Sequence, residues 1–124
     1  MDYINVNDLC DMIRQTSFDI HKYLHRGHLE KVCENALVSR LTKMGKDEHQ
    51  YPLQVKDQDG TVIGDYIADL FIEDILIIKI KACKTIADEH IAQILGYLRA
   101  SNIEHGLLIN FGSSKFQIKK YILN

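Results

Sequence analysis

From Ile75 to Ile80 the chain reads Ile-Leu-Ile-Ile-Lys-Ile, apolar at every position except Lys79. A strand without a polar face has to be covered on both sides, as in the middle of a sheet with helices above and below it. The run is far too short for a membrane helix, which needs ~20 apolar residues. Its one ammonium is costly to bury unless a counter-charge lies beside it. Two-sided cover and a partner for Lys79 are therefore the first demands this chain makes on its fold.

The flanking sequence supplies the cover. Apolar residues recur with helical spacing at Leu9, Met12, Ile13, Ile20, Tyr23 and Leu24, with an interruption around Thr16 and Ser17. Gly27 is expected to end that helix in a left-handed conformation. A second helix carries Leu29, Val32, Cys33, Ala36, Leu37, Leu41 and Met44 on one side, with Lys43 in its last turn and Gly45 just past it. The period then changes to two at Tyr51, Leu53 and Val55, and Pro52 places this strand at an edge. Asp57 to Gly60 reads as a turn, Thr61 to Phe71 as a long strand with a bulge at Gly64, and Glu73-Asp74 as the turn into the central strand. Ala87 to Ala100 is a helix, His105 to Phe111 a buried strand, and Phe116 to Leu123 a weakly alternating edge strand.

Three strands joined by tight turns form an antiparallel meander, and a helix between the third and fourth permits a parallel crossover. The expected fold is α/β, a mixed central sheet of four to five strands flanked by helices. The 124 residues suit one domain, 1–124.

Composition removes several functional classes. With 46% hydrophobic and 26% charged residues the chain has the balance of a folded protein. Its net charge of −2 lacks the basic excess of proteins that coat nucleic acid, so any such contact must come from a local patch. Cys10, Cys33 and Cys83 form no C-x-x-C pair and read as free thiols of a reducing compartment. Met1 to Asn5 carry no basic and apolar leader, so a cytoplasmic location without a membrane is expected. His21 and His25 stand four apart near His28, but without the glutamate of a zinc hydrolase they read as solvated histidines. There is no nucleophile elbow, phosphate-cradling glycine loop or dinucleotide fingerprint.

Five short motifs stand in order on these elements. They are Gly27-His28-Leu29-Glu30-Lys31-Val32-Cys33, Ala68-Asp69-Leu70, Ile78-Lys79-Ile80-Lys81-Ala82, Gln93-Ile94-Leu95-Gly96-Tyr97, and Gly106 to Gly112. In this order the chain resembles the GxxExxY family of PD-(D/E)XK nuclease-like proteins, from Gly27 to the C-terminus. Cys33 stands for the family's tyrosine, and Lys79 for the glutamate of its Val-Glu-Leu-Lys-Ala.

The resemblance implies phosphodiester hydrolysis with Mg²⁺ or Mn²⁺ held by carboxylates at adjacent strand ends, where the metal acidifies a water and stabilises the charged transition state. It implies that Asp69 binds the metal, that Lys81 is the active-site lysine, and that Glu30 and Gln93 reach the same end of the sheet. Lys79 and Lys81 are two apart on a strand and so share a face. An ammonium in place of a carboxylate removes a metal ligand and adds a repelling charge, which leads to the expectation of a catalytically impaired or inactive site. Two alternatives stay open. One is a non-catalytic module that binds protein or nucleic acid, a homodimer among its options. The other is an active Mg²⁺-dependent nuclease in which Glu89, four residues before Gln93 on the same helix face, restores the metal set with Asp69 and Glu30.

Overall fold

A computed structural model describes residues 5–46 and 48–123. Met1 to Ile4, on which the reading of the N-terminus largely rests, lie outside the described residues. The elements are α1 (Val6–Leu24), α2 (Glu30–Lys43), β1 (Glu48–Lys56), β2 (Val62–Ile72), β3 (Leu76–Lys81), α3 (Asp88–Ser101), β4 (His105–Asn110) and β5 (Gln117–Ile122). The five strands form one sheet in sequence order. All neighbours are antiparallel except β3 and β4, which are parallel and joined through α3. This is the mixed sheet expected from the sequence, with Pro52 on an edge strand.

The two faces of the sheet have separate cores. Leu70, Ile72, Leu76, Ile78, Ile80, Leu107 and Ile109 pack beneath α1 and α2, against Ile13, Ile20, Leu37 and Leu41. On the other face Leu53, Phe71 and Ile77 pack with Tyr97 and Leu98 of α3. β3 is thus buried from both sides, which is what its composition requires.

Local chemistry sets the element ends, with some departures from the sequence reading. Asn5 caps α1 by accepting from the N–H of Asn7 and Asp8. The helix continues through Thr16, whose hydroxyl donates to the Met12 carbonyl at 2.8 Å. It ends at Leu24, three residues before Gly27: His25, not the glycine, is the first residue with positive φ, at 62°, and Gly27 follows at φ 105°. Gly45 ends α2 at φ 76°, as expected. Glu73 and Asp74 both adopt positive φ, the backbone a two-residue hairpin turn needs. The first bulge lies where Gly64 suggested it: Val55 pairs with Gly64 but Lys56 with Val62, leaving Ile63 as the extra residue.

One further reading is corrected. His21 is not solvated; its Nε2 lies 2.8 Å from the Ser113 carbonyl and its ring packs on Phe116. Cys33 is a core residue, whereas Cys83 is half-buried in the loop after β3, its thiol donating to the Thr85 carbonyl.

That loop is held by the end of β4. Asn110 is fully buried; its Oδ1 accepts from the N–H of Cys83 and Gly112, and its Nδ2 donates to the Cys83 carbonyl and to Gln117 Oε1. Gly112 closes the contact, because a Cβ there would stand 2.3 Å from the Cys83 backbone nitrogen. Asn110→Ala is expected to cost roughly 2–4 kcal/mol by leaving buried backbone groups unpaired. Gly112→Ala should also destabilise, by forcing two backbones apart. Urea unfolding midpoints measure both, and a loss under about 1 kcal/mol for Asn110→Ala would mean that the loop is held by other contacts.

Candidate functional site

β2 pairs with β1 along most of its length but with β3 only from Leu70 to Ile72. At Asp69 it leaves its inner neighbour. On the β1 side His49 pairs with Phe71 but Tyr51 with Ala68, so Asp69 and Leu70 together oppose the single Gln50. Such a bulge bends a strand and re-aims its side chains. Where the ladder stops, the Asp69 carboxylate takes over: its Oδ2 accepts from the Ile80 N–H at 2.7 Å.

The other oxygen of Asp69 meets Lys79. The ammonium donates to Oδ1 at 3.3 Å, with the lysine side chain 12% and the aspartate side chain 20% exposed. Lys79 lies on the α3 face of β3, because Leu76, Ile78 and Ile80 occupy the opposite one. There its ammonium stands 5.9 Å from the centre of the Tyr97 ring, a cation–π contact in a desolvated setting. Burial pushes the Tyr97 phenol up, against the lowering influence of the Lys79 charge and with that of Asp69.

Lys81 follows two residues later and so shares the face of Lys79. It is half-buried, its carbonyl accepts from the Phe111 N–H, and it forms no ion pair among the described residues. Glu30, the first residue of α2, approaches from the other layer. Its Oε1 accepts from the Ala82 N–H at 3.4 Å, just past the end of β3. Asp69, Lys79, Lys81 and Glu30 are thus tied to consecutive positions of β3 and its exit, from Lys79 to Ala82.

Gln93 sits on α3 one turn before Tyr97, and its Oε1 is buried without a hydrogen-bond partner. Glu89 stands apart from these groups. Its side chain is 81% exposed and lies 3.9 Å from His90 Nε2. Among the described residues no three His, Cys, Asp or Glu side chains gather to hold a metal ion.

The donor set does not suit a hard divalent cation, which binds through oxygen ligands and usually one or two carboxylates. Both oxygens of Asp69 already accept hydrogen bonds, one of them from a cation. Two positive charges ~4 Å apart at an effective dielectric near 20 repel by about 4 kcal/mol per unit of charge on the incoming ion. A divalent cation at Asp69 would therefore stand against the Lys79 ammonium.

Three features escaped the sequence reading. The bulge at Asp69 depends on pairing register, which one strand does not encode. The Tyr97–Lys79 contact depends on how α3 crosses the sheet. The third is an open groove of about 1120 Å³ between β1 and α3, lined by Lys56, Tyr66, Gln93, Tyr97 and Arg99 among others.

Comparison with curated proteins gives no match. Among solved structures the chain is similar to the crystal structure of SSO0001, with a TM-score of 0.60 and 17% sequence identity. The similarity covers 77% of this chain and 52% of that one, so the chain spans about half the length of this neighbour. At that identity the likeness speaks for the fold. The model of the PD-(D/E)XK nuclease superfamily matches residues 7–121, nearly the whole chain. With the mixed sheet and the parting of β2 from β3 in place, this chain belongs to the PD-(D/E)XK nuclease superfamily.

Proposed function

We propose that this chain is a nuclease-like domain of the GxxExxY type whose metal-dependent cleavage is silenced by Lys79. Asp69 is the residue that would hold the metal, and Lys81 the lysine that would orient a nucleophile. Glu30 and Gln93 border the site. The observation that carries this reading is the 3.3 Å ion pair between Lys79 and Asp69, on the strand positions where a second carboxylate would complete the metal set. The tethered ammonium neutralises Asp69 permanently, and a dissolved cation has to compete against it.

The expected outcome of a cleavage assay on plasmid, single-stranded DNA and RNA, with Mg²⁺ or Mn²⁺, is no turnover above that of Asp69→Ala. Turnover that Asp69→Ala abolishes would overturn the proposal. If Glu89→Ala abolished it as well, the relocated carboxylate would be the better reading.

Reversion by Lys79→Glu tests the same idea without activity. Breaking a fully buried pair costs about 3–5 kcal/mol, and this pair is partly exposed, so the variant should lose about 2–4 kcal/mol in chelator. Mg²⁺ or Mn²⁺ should return part of that loss, because an ion that binds only the folded state stabilises it by about 2.7 kcal/mol at one hundred times its dissociation constant. Thermal melts of both proteins, in chelator and in metal, measure it. A revertant as stable as wild type in chelator, and indifferent to metal, would show that Lys79 is an ordinary strand lysine.

A further inference from the structure

The two edges of the sheet are finished differently. β1 is blunted by Pro52, which has no N–H to offer, and by shifts of register against β2. β5 has neither: Gln117 to Ile122 pair with β4 in one unbroken register. Two hydrogen bonds show which way its backbone groups point. The Leu123 N–H donates to the Glu104 carbonyl, one step beyond the last pair of that ladder, whereas the Phe111 N–H turns the other way, to the Lys81 carbonyl of β3. Residues alternate along an antiparallel ladder, so Gln117, Lys119 and Tyr121 are bonded to β4. The free edge presents the N–H and C=O groups of Ile118, Lys120 and Ile122.

α1 runs beside this edge and leaves a groove of about 620 Å³, lined by Asp11, Arg14, Phe18, Phe116 and Ile118 among others. An open strand edge is where an extended segment of a partner adds to a sheet, with main-chain hydrogen bonds for affinity and alternate side chains for specificity. The two faces of such a segment meet different chemistry here. On the α1 side Asp11 and Arg14 offset each other, and Phe18 is 44% exposed with its ring edge-on to Phe116 at 5.9 Å between centroids. That side suits an aliphatic residue. Tyr121 packs on the α3 side, and Lys119, two residues away, shares it. Lys119 is exposed and forms no ion pair among the described residues.

From Lys115 to Ile122 the chain carries Lys115, Lys119 and Lys120 and no acid. Pairing two copies antiparallel through the middle of this edge would set Lys119 or Lys120 directly opposite its own counterpart, which is destabilising. The occupant has to bring acids of its own. We propose that β5 is a docking strand for an extended segment of another protein in which acidic residues alternate with aliphatic ones. Its backbone pairs with Ile118, Lys120 and Ile122, its aliphatic side chains lie along α1 against Phe18, and its acids face Lys119.

Amide hydrogen exchange of the full chain reads this docking directly. A short fluorescent peptide alternating glutamate and valine should bind saturably, and the same peptide with lysine for glutamate about tenfold more weakly. The bound peptide should slow exchange at Ile118, Lys120 and Ile122, and leave Lys119 and Tyr121, already bonded to β4, unchanged. Lys119→Glu should melt as wild type does and bind the glutamate peptide about tenfold more weakly. The proposal is overturned if the glutamate peptide does not bind, if it binds without protecting those amides, or if the lysine peptide or Lys119→Glu binds equally well. A short deoxythymidine strand is titrated alongside; its binding in place of the peptide's would make the edge a nucleic-acid contact and overturn the proposal as well. β4 stands between β5 and the strand that carries Lys79, and cleavage plays no part in the readout, so the silenced-site reading stands or falls separately.

Discussion

β3 is hydrogen-bonded to a neighbour on each side and covered by helices on both faces, and it carries a lysine at its fourth position. Water cannot solvate that charge from the middle of the sheet, so the protein itself has to. The counter-charge comes from β2, and an aspartate can deliver it only if the β2–β3 ladder stops there. Asp69 meets both needs at once: one oxygen receives the Lys79 ammonium, and the other replaces the missing ladder acceptor for the Ile80 N–H. The bulge opposite Gln50, the parting of the strands and the ion pair are one structural event.

The effects of that event reach well beyond the pair. Once released from β3, the outer part of β2 remains paired only with β1, and the resulting ribbon borders α3 to leave the groove open. α3 stays anchored because it links the two parallel central strands and buries Ile94, Tyr97 and Leu98. Tyr97 serves both sides of this arrangement, as the ring under Lys79 and as the support of Tyr66. At the far end of β3, Asn110 and Gly112 fix the loop that continues from Ala82, where Glu30 makes its contact. The central strand is therefore pinned at both ends of its charged segment.

Much of this could be read from the residues. The apolar run of β3, the period-two pattern of β1 and the helical spacing around Leu37 and Ile94 are local signals, and each element they predict is present. Lys79 and Lys81 share a face through simple strand alternation. The ion pair with a nearby carboxylate follows from the cost of burying an ammonium. The features that could not be read depend on relations between segments. The pairing of Tyr51 with Ala68, which defines the bulge, is a register, and nothing in either strand alone specifies it. Likewise Lys56, Tyr66 and Arg99 belong to three different elements and meet only because the ribbon lies beside α3. Positive φ at the end of α1 falls first on His25, at φ 62° and ψ −173°, and only then on Gly27, a shift that the helical spacing does not encode.

Lys79 also sets what this end of the sheet can tolerate before any ion arrives. A cluster of three carboxylates with one lysine repels a phosphate group until a metal neutralises it, which couples substrate binding to metal binding. Asp69 holds the Lys79 ammonium at Oδ1, while Glu30 accepts from the Ala82 N–H just past the end of β3. Asp69 is already occupied by Lys79, which leaves Lys81 as the cation of the cluster without an ion pair among the described residues. The same ammonium that sets a positive charge against an incoming metal ion therefore removes the bare carboxylate that would repel an anion at Asp69.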